Sequence, residues 1–214
     1  DADEQFVFIT GITKYSQLSI FSTLNNLRNI SMEPIYSALC GITKEELLSV
    51  FDEDIQMLAT QYRCTKDEMI DRLKLQYDGY HFSNESEDIF NPFSLTNAFT
   101  SKSIGNYWFG SGTPTFLFEE MKRFNTDILS LEQLQVPSTQ FDVPTEAMYS
   151  ALPLLYQAGY LTIKGYDFDR DVYTLDFPNA EVKVGFMDNF LVCMMNLGDT
   201  NTRGFAGNFY AATS

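Results

Sequence analysis

The first run with a clear pattern is Phe6-Val7-Phe8-Ile9-Thr10, an unbroken apolar stretch. Strands of that kind are buried on both faces, in the middle of a parallel sheet. Such a strand needs neighbours, and few similar runs follow, so the chain is expected to be a piece of something longer. After the polar exit Gly11 to Ser16, the segment Leu18 to Leu27 mixes apolar and polar positions. From there the period becomes helical. Thr43-Lys44-Glu45-Glu46 is a capping box opening a helix with Leu47, Leu48, Phe51, Ile55 and Leu58 on one face. Thr65-Lys66-Asp67-Glu68 repeats the box before Met69, Ile70, Leu73 and Leu75, and the Asp78-Gly79 turn ends that helix between aromatics. Asn91-Pro92 and Thr113-Pro114 each place a cap before a proline at the first helical position, the second opening a helix from Pro114 to Phe124.

Further along, Ser130 to Gln135 is expected to be a short helix, and Pro144-Thr145-Glu146 to begin a longer one running to Gly159. Tyr160 to Lys164 and Val172 to Leu175 are β-prone runs joined by a polar stretch, the one clear hairpin of the sequence. Pro178-Asn179 then leads into a helical pattern carrying Val182, Phe186, Phe190 and Leu191. Helix, tight turn, two strands and helix are the parts of a winged-helix unit. The Gly/Asn/Thr-rich tail from Gly198 carries few anchors and is expected to be loose. The pattern therefore predicts a mainly α (α+β) chain.

Composition narrows the function. With 14 Lys+Arg against 29 Asp+Glu the formal charge is −15, which repels phosphate backbones and disfavours nucleic acid as a partner. At 44% apolar residues, 19 Phe and 12 Tyr among them, the chain can bury a real core. No apolar run approaches the roughly 20 residues of a membrane helix. Cys40, Cys64 and Cys193 are widely spaced and His81 is the one imidazole, so neither a disulfide framework nor a zinc site is expected. Buried thiols in a reducing cytoplasm are expected instead, with no metal bound.

Candidate chemistry is sparse. No G-x-x-x-x-G-K-[ST] phosphate loop occurs. Gly110-Ser111-Gly112-Thr113 is better explained as a helix cap than as an anion site. Asp167-x-Asp169-x-Asp171 opens like a calcium loop, but Val172 and Pro178 stand where Gly and Glu are required, leaving a solvated hairpin tip. Asp176 followed by Glu181-Val182-Lys183 has the order in which some nucleases hold Mg²⁺ and activate water. That chemistry needs Glu and Lys on one side of a strand, whereas Pro178-Asn179 predicts a helix. Thr10, Thr13 and Lys14 follow the opening strand, where open α/β sheets put ligand-contacting groups; strand termination accounts for them equally well.

Taken in order, Phe8 to Ser16, Ile20 to Leu27, Leu39-Cys40-Gly41-Ile42-Thr43, Tyr77 to Phe82, Tyr107-Trp108-Phe109, Gly112 to Thr115, Gln157 to Ile163 and Phe177-Pro178-Asn179 resemble the middle part of an AAA-ATPase-like family of bacterial proteins. The resemblance covers about Phe6 to Leu191. It implies a P-loop core before Asp1 and a PD-(D/E)XK nuclease-like domain after Leu191, neither of which is in this sequence. It also implies that residues 1–30 are the end of an α/β ATPase core, 31–143 a helical lid, 144–195 a winged-helix unit and 196–214 a tail. On that basis Thr10, Thr13 and Lys14 match a nucleotide-sensing position. ATP and Mg²⁺ are cofactors of the full-length family, and none is expected for this chain alone.

The leading expectation is therefore a cytoplasmic coupling or protein-interaction module, not catalytic alone. Its partners would be the missing P-loop core and C-terminal domain, or another protein, with no membrane involved. A metal-dependent nuclease using Asp176, Glu181 and Lys183 is one alternative. A winged-helix DNA binder is the other, but its recognition helix, Glu146 to Ala158, contains no Lys or Arg.

Overall fold

The structure, a computed structural model, describes residues 28–111 and 115–196 together with residues 8, 10 and 11. These residues are mainly α, with one small antiparallel sheet. Helices α1 (Lys44–Val50), α2 (Asp52–Gln61) and α3 (Lys66–Tyr77) are the first α-helices among the described residues. Both capping boxes close. Thr43 Oγ1 accepts from the Glu46 amide at 3.1 Å and the Glu46 carboxylate accepts from the Thr43 amide at 2.9 Å, and Thr65 and Glu68 do the same. Each cap stabilises its helix by about 1 kcal/mol.

The single helix expected beyond Thr43 is in fact two. Phe51 leaves helical geometry at φ −106°, ψ 22°, and its ring stacks on Phe99 at 5.2 Å. Asp52, Glu53 and Asp54 then fill the first turn of α2, where the helix dipole favours negative charge. Helix α4 (Pro92–Ser101) is capped by Asn91, whose Oδ1 accepts from the Phe93 and Ser94 amides at 3.0 and 3.2 Å. Leu47, Ile55, Leu58, Met69, Leu73, Tyr77, Phe90 and Leu95 form a first apolar core, while Leu48 and Leu75, expected on the same faces, are exposed.

A second core gathers α5 (Thr115–Arg123), β1 (Leu134–Val136), α6 (Leu152–Gln157), β2 (Thr162–Asp167), β3 (Val172–Asp176) and α7 (Ala180–Asn196). The sheet order is β1-β3-β2, with Leu134 opposite Leu175 and an irregularity in register between Ile163 and Gly165. Phe118, Met121, Phe141, Leu155, Ile163, Leu175 and Phe186 fill its centre. At Gly185 of α7 a Cβ would lie 2.2 Å from Phe109, so glycine there admits the ring.

Several expectations are corrected. Ser130 to Gln135 is no helix: a 3-10 turn (Ile128–Ser130) leads into β1, whose pairing partners lie 37 to 41 residues downstream in β3. Glu146 to Ala158 is not one helix either. A 3-10 turn (Thr145–Ala147) is followed by the short α6, because Pro153 lacks the N–H a continuous helix requires and is tolerated only in a first turn. The cysteines are free thiols as expected, but Cys40 is exposed and Cys64 and Cys193 are half-buried. Phe8 and Thr10 are exposed and belong to no strand; the rest of the Phe6 to Thr10 stretch, Thr13, Lys14, Gly112 to Pro114 and residues 197–214 lie outside the described residues. The division expected at 143–144 does not follow the core, since α5, β1 and Phe141 pack with α6 and α7.

The two cores are tied by a ladder of short pairings. Ile42 exchanges backbone hydrogen bonds with Phe90, and Ile89 with Tyr80. His81 continues toward β2, its carbonyl accepting from the Ile163 amide at 3.4 Å and from Thr162 Oγ1 at 2.8 Å.

Candidate functional site at the join between the cores

Chemistry-bearing side chains concentrate where the turn after α3 meets the sheet and the start of α7. Asp78 Oδ1 accepts from the Gly79 amide at 2.8 Å, closing the turn, and Gly79 adopts φ +99°. No other residue fits there: a Cβ would lie 2.2 Å from the Pro178 carbonyl oxygen and 2.7 Å from Lys164 Nζ. Lys164 projects from the irregular stretch of β2 and donates to the Gly79 carbonyl at 2.5 Å and the Pro178 carbonyl at 3.1 Å. Its ammonium thus staples the α3 turn to the segment that enters α7. Desolvation lowers the Lys164 pKa, opposed by the negative charges of Asp88, Asp78 and Asp176. Burial raises the Asp78 carboxyl above its ordinary value, against the pull of the Gly79 amide.

Beside the staple, His81 Nδ1 lies 3.1 Å from Asp88 Oδ1. That hydrogen bond holds the Asp88 carboxyl below the usual carboxylate range, and partial desolvation works against it. A depressed folded-state pKa stabilises the fold fully above the unfolded carboxylate range and is lost as pH falls through the folded value. Half of the Asp88 side chain is exposed, so solvent screens the pair. Asp88→Asn is therefore expected to cost no more than about 1 kcal/mol at neutral pH, and that cost to shrink as pH falls below the ordinary carboxylate range, read from urea midpoints at neutral and acid pH.

Beneath the turn lies Glu181, completely buried in the first turn of α7. Its Oε1 accepts from the Tyr107 amide at 2.5 Å and the Trp108 amide at 2.9 Å. Its Oε2 and the Ser94 hydroxyl of α4 are buried beside each other, with no other hydrogen-bond partner. Burial raises the Glu181 pKa, opposed by the Ser94 hydroxyl and by the two amides. Tyr77 and Tyr80, both buried, feel its charge, and burial drives their phenol pKa values up.

No family model and no solved structure matches the chain. It is similar to a protein of Azotobacter chroococcum mcd 1 described as "uncharacterized protein in vnfD 5′ region". The two are 33% identical over 202 residues, covering 90% of this chain and 35% of that protein. The chain thus spans about a third of the length of the curated relative it matches.

The residues singled out from the sequence are not brought together. Asp176, at the end of β3, accepts from Gln133 Nε2 at 2.5 Å and from the Phe177 amide at 2.7 Å. Glu181 serves backbone amides, and Lys183, two residues along the same helix, pairs with Glu132 at 2.9 Å. Glu181 and Lys183 lie on α7, as Pro178-Asn179 predicted, and not on a strand. At the hairpin tip Asp167 Oδ1 accepts from the Asp169 and Arg170 amides, and Tyr166 donates to Asp171 at 2.7 Å. The roles of Asp78, Asp88 and Lys164 were missed. The Asp-Gly turn and a lysine inside a β-prone run were the available signals. Among the described residues no three His, Cys, Asp or Glu side chains converge to hold a metal, and no helix is long and apolar enough to cross a membrane.

Proposed function

We propose that this stretch is the lid and winged-helix part of an AAA-ATPase-like protein of the bacterial cytoplasm. It serves as a nucleotide-state coupling or protein-interaction module and is not catalytic alone. The observation that carries this reading is where the polar groups of the join are spent. Lys164 and Glu181 grip backbone carbonyls and amides on both sides, as parts that transmit position do. The sheet adds support. A short strand before α6, paired with the second arm of a hairpin that follows α6, is the arrangement a winged-helix unit has. Matching about a third of a longer relative is also what a module within a larger protein would do.

Thr10, Thr13 and Lys14 remain the proposed nucleotide-sensing residues by resemblance. ATP and Mg²⁺ would belong to the P-loop core of the longer protein. The described residues offer no converging ligands for Mg²⁺, so no catalytic step is assigned to them. The nuclease alternative finds Asp176, Glu181 and Lys183 committed to three different partners. The DNA-binding alternative would use α6, whose first four residues are buried, beside a wing tip carrying Asp167, Asp169 and Asp171.

Calorimetric titration of the 214-residue chain and of the full-length Azotobacter relative with Mg-ATP tests the proposal. The chain alone is expected to bind nothing at micromolar concentrations, and the relative to bind and hydrolyse the nucleotide. Micromolar, Mg²⁺-dependent binding by the chain alone overturns the modular reading. A relative that neither binds nor hydrolyses ATP overturns the family reading.

A further inference from the structure

The sheet face that covers the second core continues past it along the β2–β3 hairpin. Ile163 and Leu175 stand opposite each other in that core, both fully buried. Two residues nearer the tip, Tyr173 shares the Leu175 face and pairs across with Tyr166 of β2. From there the rings form a row. Phe141 meets Tyr173 at 5.4 Å, Tyr173 meets Tyr166 at 4.6 Å, and Tyr166 meets Phe168 at 4.6 Å. The row is anchored on Phe141, fully buried, and ends at Phe168, which is 72% exposed.

A lone exposed phenylalanine needs no explanation, but this one is the outermost ring of a packed row that fixes its position before anything binds. Its surroundings set the charge of the occupant. Asp167, Asp169 and Asp171 flank the ring along the chain, and none of the ion pairs among the described residues includes any of them. Asp167 and Asp171 each commit one oxygen within the hairpin, while Asp169 stands exposed. Arg170, the one cation of the turn, donates to Gln135 on β1.

With the chain at −15, this face repels nucleic acid, an anionic membrane surface and a second copy of the chain alike. An uncharged apolar partner would strip water from the carboxylates without return. A guanidinium avoids both costs. Its plane lies on a ring face while its N–H groups reach carboxylates, and it gives up water more readily than an ammonium. The chain makes such a stack within itself, Arg123 over the Phe124 ring at 5.1 Å. We propose that the aromatic face at the end of the β2–β3 hairpin docks an arginine-bearing surface of another protein, Phe168 taking the guanidinium plane and Asp169 its charge. This docking requires nothing of a nucleotide, so it stands or falls apart from the ATPase-like reading.

The experiment follows the Tyr166 and Phe168 ring resonances of the 214-residue chain by NMR. The probes are a short capped peptide of alternating leucine and arginine and its lysine and glutamate counterparts. The arginine peptide is expected to shift both rings at submillimolar concentration, to bind about fivefold more tightly than the lysine peptide, and to weaken as salt rises. The glutamate peptide is expected to leave the rings unmoved. Phe168→Ala, read at Tyr166, is expected to weaken the arginine peptide about fivefold and Asp169→Asn about twofold. Both residues are exposed, so the fold should survive, and either variant tests the face without the other. Absence of ring shifts up to about 1 mM arginine peptide overturns the proposal. Equal arginine and lysine affinities, or an affinity unchanged in either variant, mark diffuse attraction to an acidic surface and overturn it too. Self-association of the chain that Phe168→Ala abolishes puts a second copy on the face and overturns the arginine-bearing partner.

Discussion

Replacing Gly79 with alanine is expected to cost about 4 kcal/mol or more, in the class of substitutions that unfold marginal proteins. Two causes add. A φ of +99° lies where side chains strain the backbone, and the new Cβ would sit 2.2 Å from the Pro178 carbonyl oxygen. Lys164 Nζ, 2.7 Å from the same point, can swing away, but the carbonyl belongs to the chain entering α7 and cannot. Relieving the contact separates the α3 turn from α7, breaks the Lys164 staple and draws Glu181 away from the Tyr107 and Trp108 amides. Gly165→Ala is the control. Its Cβ would meet Thr174 at 3.8 Å, an ordinary contact, and a change of under about 1 kcal/mol is expected. Denaturant midpoints measure both, and a Gly79 variant as stable as the control would remove the join from the centre of this account.

What could be read from the sequence was local. The Thr43/Glu46 and Thr65/Glu68 boxes and the Asn91-Pro92 cap need only a few neighbouring residues to declare themselves, and all three form. The hairpin was legible because its two β-prone runs lie close along the chain. Phe51 was read as one more residue of a continuous face. Its ring packs on Phe99, and the acidic run after it marks a second helix start. β1 escaped because three residues carry no period and gain their strand character from β3 alone.

The site was legible in parts. Pro178-Asn179 correctly put Glu181 on a helix, and Asn179 Oδ1 does accept from the Val182 amide at 3.0 Å. Nothing near Glu181 in sequence announced that its carboxylate would meet amides more than 70 residues earlier. Spacing had grouped Asp176, Glu181 and Lys183 as candidate ligands. Tertiary packing gave each a different partner, because a helix start turns residues 181 and 183 apart.

The second large effect is expected at Phe186, fully buried on α7, with ring centroids 5.5 Å from Phe118, 5.6 Å from Tyr160 and 5.4 Å from Phe177. Phe186→Ala removes the ring on which α5, the turn before β2 and the exit from β3 converge, at a cost of about 3–5 kcal/mol. The loss should also be uneven. Phe186 belongs to the second core and not to the first, so hydrogen exchange should accelerate most in α5, β3 and α7, while α2 and α3 keep more of their protection. That distribution decides between two divisions of the chain. A boundary at residues 143–144 leaves α5 with the helices before it and predicts that its amides are spared. The observed packing joins α5 to α7 through Phe118 and Phe186, so α5 should loosen together with α7, and protection retained in α5 would restore the earlier boundary.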